Sequence, residues 1–390
     1  MERIAGRMLG LGTETAFEVL ARAKKLEATG RDIVHLEIGE PDFDTPSNIV
    51  EAACKALRDG YTHYGPSSGL PPARQAIAEY FSRDRGVQVG PENVVITPGA
   101  KPILFYSILA LVNPGDEVIY PDPGFPIYQS VISFFGAKPV PLPLKEERDF
   151  CFDLADLEAR ITPKTRMIIF NSPHNPCGSM LSKDDLRGIA ELAEKHDLWV
   201  LADEIYSKST YEDPFESITQ FPGMLDRTVV VDGFSKTYAM TGWRMGFGIV
   251  PKDAEPHFSR LMVNSNSCTS SFSQIAGIEA LNGPQDEVKA MVAEFRRRRD
   301  FIVDGLNAID GVSCRKPKGA FYVFPNVKAL GMKSQELQDH LLENAGVASL
   351  AGTSFGPEGE GYLRFSYANS LANIEKALER IAESLQEVRR

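Results

Sequence analysis

Short apolar, β-branched runs recur at 93–97, 116–120, 166–171, 198–202 and 227–232, each bounded by polar or turn-forming residues. Runs of this length and composition predict buried strands. Helical stretches lie between them. Residues 103–112 are apolar almost all round and are expected to be buried. Ser182-Lys183-Asp184-Asp185 opens another helix as a capping box with aspartate in the usual glutamate position. Strands alternating with helices predict an α/β fold: a mainly parallel sheet covered on both faces.

The flanks read differently. Upstream lie a helical stretch at 15–28, a strand-like run at 32–38, a turn-rich passage, and a helix through 57 for which Ser47 is the expected cap. Beyond about 282 a long helix (285–309) precedes short strands at 312–315, 320–324 and 362–366, and a last helix starts near Leu371. The expected organisation is an N-terminal arm with part of a small domain (1–46), a large domain (47–284), and a smaller α+β domain (285–390) completed by the N-terminal residues. Arg296 to Arg299 interrupt the long helix and are expected on its solvated face.

Composition narrows the classes. The 390 residues are 43% hydrophobic and 24% charged, ordinary for a globular protein with a large core. With 42 basic and 53 acidic residues the net charge is −11, which disfavours nucleic acid or an anionic membrane as partner. No apolar run approaches the roughly 18 residues of a membrane span, and the first residues carry no apolar signal core. Five scattered cysteines without a C-x-x-C pair indicate neither a disulfide framework nor a metal site, so a reducing cytoplasm is expected.

The candidate chemistry centres on residues 233–246, GFSKTYAMTGWRMG. The run at 227–232 would deliver Lys236 just beyond a strand's carboxyl end, where ligands sit in open α/β sheets. Lysine among Phe234, Tyr238 and Met240 is partly desolvated, which favours the neutral, nucleophilic amine. Arg244 offers a planar fork suited to phosphate. Together they suggest a phosphorylated aldehyde held as a Schiff base, namely pyridoxal 5'-phosphate. Asp203, at the end of 198–202, is the candidate partner of the pyridine nitrogen, although a strand-end aspartate also caps helices. Tyr206 and Asn175 could reach the phenolate oxygen. The turn Thr97-Pro98-Gly99-Ala100-Lys101 leads into a helix whose amides suit phosphate. Arg364, on a strand, suits a substrate α-carboxylate.

In order and over almost the whole chain, these stretches resemble the class I aminotransferases, the aspartate aminotransferase family of fold type I. The resemblance implies a seven-stranded sheet, Lys236 in the imine, Asp203 on the pyridine nitrogen, and Tyr206 with Asn175 on the phenolate. It places Arg244 and the Gly99–Ala100–Lys101 backbone on the phosphate, Phe125 against the ring, and Gly39 and Arg364 beside the substrate. Tyr64 matches the tyrosine that reaches the phosphate across a homodimer interface. Gly233 stands where many members carry a phosphate-binding serine, so Ser235 or backbone must compensate. No arginine lies at Val263-Asn264-Ser265-Asn266, where dicarboxylate-specific members have one. Lys101 instead could meet a substrate side-chain carboxylate, as in some bacterial members, or only support the phosphate.

The implied activity is amino-group transfer between an L-amino acid, aspartate- or glutamate-like favoured, and a 2-oxo acid. Alternatives on the same scaffold are β- or γ-elimination, an amino-acid oxidase, or a non-catalytic amino-acid sensor. A nicotinamide dehydrogenase is disfavoured because no G-x-G-x-x-G follows the first strand.

Overall fold

The computed structural model describes residues 3–388. Seven strands build the central sheet: β1 (Val94–Thr97), β2 (Glu117–Asp122), β3 (Lys138–Pro143), β4 (Thr165–Asn171), β5 (Trp199–Asp203), β6 (Thr228–Gly233) and β7 (Gly246–Ile249). Their order is β1-β7-β6-β5-β4-β2-β3. Neighbours are parallel except at β7, which runs antiparallel to both β1 and β6. The expected mainly parallel sheet is present, and alternate side chains feed separate cores on its two faces. Met167 and Ile169 of β4 enter one core, Ile168 and Phe170 the other; Val229 and Val231 of β6 oppose Val230 in the same way.

Two strands escape the apolar pattern. In β3, prolines at 139, 141 and 143 remove every second donor, which is tolerable only at the sheet edge where β3 lies. In β7, Gly246 and Gly248 supply no side chain to read. Both glycines serve close packing: a Cβ at Gly246 would lie 2.4 Å from the Ala100 nitrogen, and one at Gly248 2.9 Å from Ile103.

Helices cover the sheet. The capping box is formed at the helix Lys183–Lys195: Ser182 Oγ accepts from the Asp185 amide at 3.1 Å and Asp185 Oδ2 from the Ser182 amide at 2.9 Å. Ser47 is no cap. Pro46 takes that position, and Ser47 becomes the first residue of the helix Ser47–Arg58. The apolar helix Lys101–Leu111 is buried through Ile103, Leu104, Tyr106 and Ile108, but Leu109 is 45% exposed, so it is not enclosed on all sides.

A second body gathers around the long helix Asp286–Asn307 and the terminal helix Leu371–Val388. Leu350–Ala351, Leu363–Ser366 and Tyr322–Val323 form a three-stranded antiparallel sheet in that order. The expected strand at 32–38 shrinks to Val34–His35, paired in parallel with Val347–Ala348. Of the run at 312–315 only an isolated bridge, Ser313 to Asn326, remains. Val34 and Leu36 enter the same core as Phe295, Ile302, Phe365 and Ile381, so an early segment completes a late one.

The arginine run corrects another expectation. Four successive residues each turn about 100° around a helix and cannot share one face. Arg296 and Arg297 are exposed, whereas Arg298 and Arg299 are buried. Arg299 donates to both oxygens of Glu212 at 2.7 and 2.6 Å, and Arg298 to Asp42 at 2.6 Å. Buried guanidinium groups survive only with such partners.

Candidate active site

A cleft of about 580 Å³ opens at the carboxyl ends of β4, β5 and β6. Asn171 and Asp203 are the last residues of β4 and β5. Lys236 lies in the single helical turn Phe234–Thr237 that follows β6 directly. The opposite wall carries Tyr322 and Arg364 from the small antiparallel sheet, and Gly39 from the N-terminal segment.

Lys236 is partly buried, and its Nζ donates to the Gly39 carbonyl at 2.5 Å. Removal from bulk water lowers its amine from the ordinary lysine value to about 8. Asp203 is buried; Oδ2 accepts from the Tyr128 hydroxyl at 2.6 Å and Oδ1 from the Ile205 amide at 3.3 Å. Burial pushes its carboxyl up to about 6, against the opposing effect of those two donors. The cleft thus holds an amine inclined to neutrality and an acid that a nearby cation would ionise.

Arg364 is buried beneath the cleft, with its guanidinium 4.5 Å from the Tyr322 ring centroid and 5.1 Å from that of Phe355. It donates to the Glu37 carbonyl and, at 3.3 Å, to Asn175 Oδ1. Its Nε has no partner among the described residues. A buried guanidinium with a spare donor is prepared for an anion. Gly39 has no room for a side chain: an added Cβ would lie 1.9 Å from the Tyr322 hydroxyl.

At the other end, the helix Lys101–Leu111 begins without a side-chain cap. Its first amides are therefore left for another acceptor. Gly99 (φ 86°) passes against Arg244, and a Cβ there would lie 2.2 Å from Arg244 Nη2. Arg244 itself has φ 50° and donates through Nη1 to the Thr241 carbonyl at 2.7 Å. Gly233 is explained by its neighbour across the sheet: a Cβ would come within 2.9 Å of the Gly246 Cα.

Of the residues singled out from the sequence, Gly39, Ala100, Lys101, Phe125, Asn175, Asp203, Tyr206, Ser235, Lys236, Arg244 and Arg364 all line this cleft. Gly99 lies behind it, against Arg244. Tyr64 does not reach it and is 88% exposed. Lys101 pairs with Glu14, and the Tyr206 hydroxyl bonds to that of Tyr322 at 2.8 Å. Sequence reasoning missed Tyr128, Tyr322 and Asn171, whose Oδ1 accepts from the Asn175 amide at 2.8 Å. It also missed Glu14 and Phe17 at the cleft mouth. Asn171, a polar residue closing an apolar strand, carried a signal; the two tyrosines carried none.

Behind the cleft, Arg85 ties the two key strand ends together. Its Nε donates to Glu204 at 3.0 Å and its Nη2 to Asp232 at 3.3 Å. Glu204 follows Asp203 directly, and Asp232 belongs to the end of β6 from which Lys236 projects. All three charged groups are buried, and burial raises Asp232 to about 7 against the pull of Arg85.

A family model described as aminotransferase class I and II matches residues 31–381. The aspartate aminotransferase of Pyrococcus horikoshii is 42% identical over 387 residues, covering 98% of this chain and 97% of its own. Aromatic-amino-acid aminotransferase 2 of Thermococcus litoralis is 39% identical over 359 residues, 91% of this chain and 92% of its own. The solved aspartate aminotransferase of Thermus thermophilus with maleate superposes with a TM-score of 0.94 at 37% identity, over 98% of this chain and all of that one (100%). The chain belongs to the class I and II aminotransferases, enzymes that use pyridoxal 5'-phosphate. The cleft fits that group: uncapped amides and Arg244 for a phosphate, a buried acid for a ring nitrogen, and a desolvated amine for a carbonyl.

Proposed function

We propose that this aminotransferase exchanges amino groups between an L-amino acid and a 2-oxo acid, with dicarboxylic amino acids among its favoured donors. The observation that carries the transfer chemistry is the Lys236 amine, lowered to about 8 and lining one cleft with Asp203 and Arg364. Lys236 would bind the carbonyl of pyridoxal 5'-phosphate. Asp203 would hold the pyridine nitrogen, with Tyr206 and Asn175 for the phenolate oxygen and Phe125 for the ring. Arg244, Ser235 and the amides of Gly99, Ala100 and Lys101 would hold the phosphate. The bound group supplies a protonated ring that withdraws the electron pair released when the substrate Cα loses its proton.

Arg364 meets the substrate α-carboxylate through its unpartnered edge, which fixes the Cα–H bond relative to Lys236. With the substrate so held, a free Lys236 Nζ would take the Cα proton as general base. A lowered pKa suits that task because a base near the working pH is both free and strong enough. The dicarboxylate preference is supported by the name of the Pyrococcus relative and by Lys101 at the mouth. Mixing the holoenzyme with single amino acids tests the reaction: stoichiometric 2-oxo acid without ammonia or peroxide is expected. Ammonia release would point to elimination, and peroxide to an oxidase.

Tyr64 is exposed on its own chain, as are the large apolar side chains of Tyr61, Leu109 and Val263. This supports a homodimer in which Tyr64 reaches the phosphate of the partner's site. Mixing Tyr64→Ala with Lys236→Ala protein should then restore roughly a quarter of wild-type activity. Half of randomly paired dimers are hybrids, each with one intact site. No recovery despite demonstrated subunit exchange would refute the shared site. All five cysteines are unpaired in the fold, which supports a reducing, cytoplasmic setting. No helix among the described residues is long and apolar enough to cross a membrane.

A further inference from the structure

The ammonium at the mouth of the cleft is already engaged. Lys101 Nζ forms an ion pair with Glu14, with side-chain exposures of 45% and 20%. It also lies 5.6 Å from the Phe125 ring centroid. Glu14 stands in the cap position of the helix Thr15–Glu27, yet its side chain makes no capping bond. Its carboxylate crosses to Lys101 instead, a contact between residues 87 positions apart. Both side chains line the same cleft as Arg364, whose lining also includes the apolar Phe17, Phe125, Leu350 and Phe355.

We propose that Glu14 is a resident stand-in for a substrate side-chain carboxylate and sets the balance between acidic and neutral donors. This rests on the reading that Arg364 holds the α-carboxylate. With a neutral or aromatic donor the Glu14–Lys101 pair stays closed, Lys101 keeps its counter-ion, and the side chain packs on the apolar wall. With a dicarboxylic donor the substrate carboxylate takes Glu14's place and Glu14 turns to water, which its partial exposure permits. Two carboxylates on one ammonium repel each other, which sets the substrate carboxylate in competition with Glu14. A pair open to water on its lysine side gains little over water, and such a pair is readily exchanged.

The pair is also felt at the catalytic lysine. The Glu14 charge raises the Lys236 amine and the Lys101 charge lowers it, both as contributions smaller than burial. Closed, the two act in opposite directions, behind burial and the Glu40 charge. An incoming carboxylate that replaces Glu14 brings a charge of the same sign to Lys101.

Glu14→Gln tests the competition. The ratio of kcat/KM for L-aspartate to that for L-alanine should rise roughly fivefold, the worth of one exposed ion pair no longer in the way. Succinate, titrated calorimetrically into the holoenzyme, should bind tighter by a similar factor. In a Lys101→Ala background Glu14→Gln should change neither quantity. An unchanged ratio, unchanged succinate affinity, or a gain that survives Lys101→Ala would overturn the proposal. Absence of 2-oxo acid from every donor in the unaltered enzyme would overturn the functional reading instead, and the succinate titration would still decide the exchange.

Discussion

Lys236→Ala should lower steady turnover by at least about a thousandfold while the protein folds and retains pyridoxal 5'-phosphate without a covalent link. Two losses coincide in this variant. In the proposed reaction the carbonyl attachment would go, and so would the base that removes the Cα proton, a contribution of roughly 10²–10⁴ on its own. The fold should tolerate the change, because the side chain is only partly buried and its one hydrogen bond goes to the Gly39 carbonyl. Steady-state assay, cofactor content and thermal melting check the three statements separately. Turnover near that of the wild type would remove Lys236 from the centre of the reaction.

Asp203→Asn should keep the cofactor and cut the rate by about two to three orders of magnitude. Asparagine preserves the shape and can still accept from the Tyr128 hydroxyl, which lies 2.6 Å from Asp203 Oδ2. It cannot supply the negative charge that keeps a ring nitrogen protonated; losing a single preorganised donor from an oxyanion hole costs about 2.7–4 kcal/mol, and a similar loss is expected here. Burial raises the Asp203 acid to about 6 even with the Lys236 charge pulling it down, and a cation paired directly with it would lower it further. The carboxylate is therefore the working form at neutral pH. An unchanged kcat in Asp203→Asn would place the partner of the ring elsewhere.

The sheet was legible where side chains reported it. β4, β5 and β6 are buried on both faces, so their apolar runs stand out, and they end on the residues that matter. β3 and β7 were illegible for opposite reasons: prolines obscured one, and glycines emptied the other of any signal. Lys236, Asp203 and Arg244 were legible because their chemistry is local, each set by its place at a strand end or turn. Tyr128 and Tyr322 were not, because their roles depend on contacts from distant segments: Tyr128 to Asp203, Tyr322 to Tyr206 and Arg364. Arg298 and Arg299 show the same limit, since nothing in a run of arginines reveals which of them Glu212 and Asp42 will neutralise.

The Arg85 bracket has a bearing on how the enzyme comes into being. Its two bonds join residues 119 and 147 positions apart in the chain. Contacts of that span form only after the intervening segments have been brought together, at a loop-closure cost met late in folding. The strand ends beside Asp203 and Lys236, already paired in parallel with each other, are therefore braced by a long-range contact as well, which ties their geometry to global unfolding. A partly folded chain could show much of its secondary structure and still lack a working floor to its cleft.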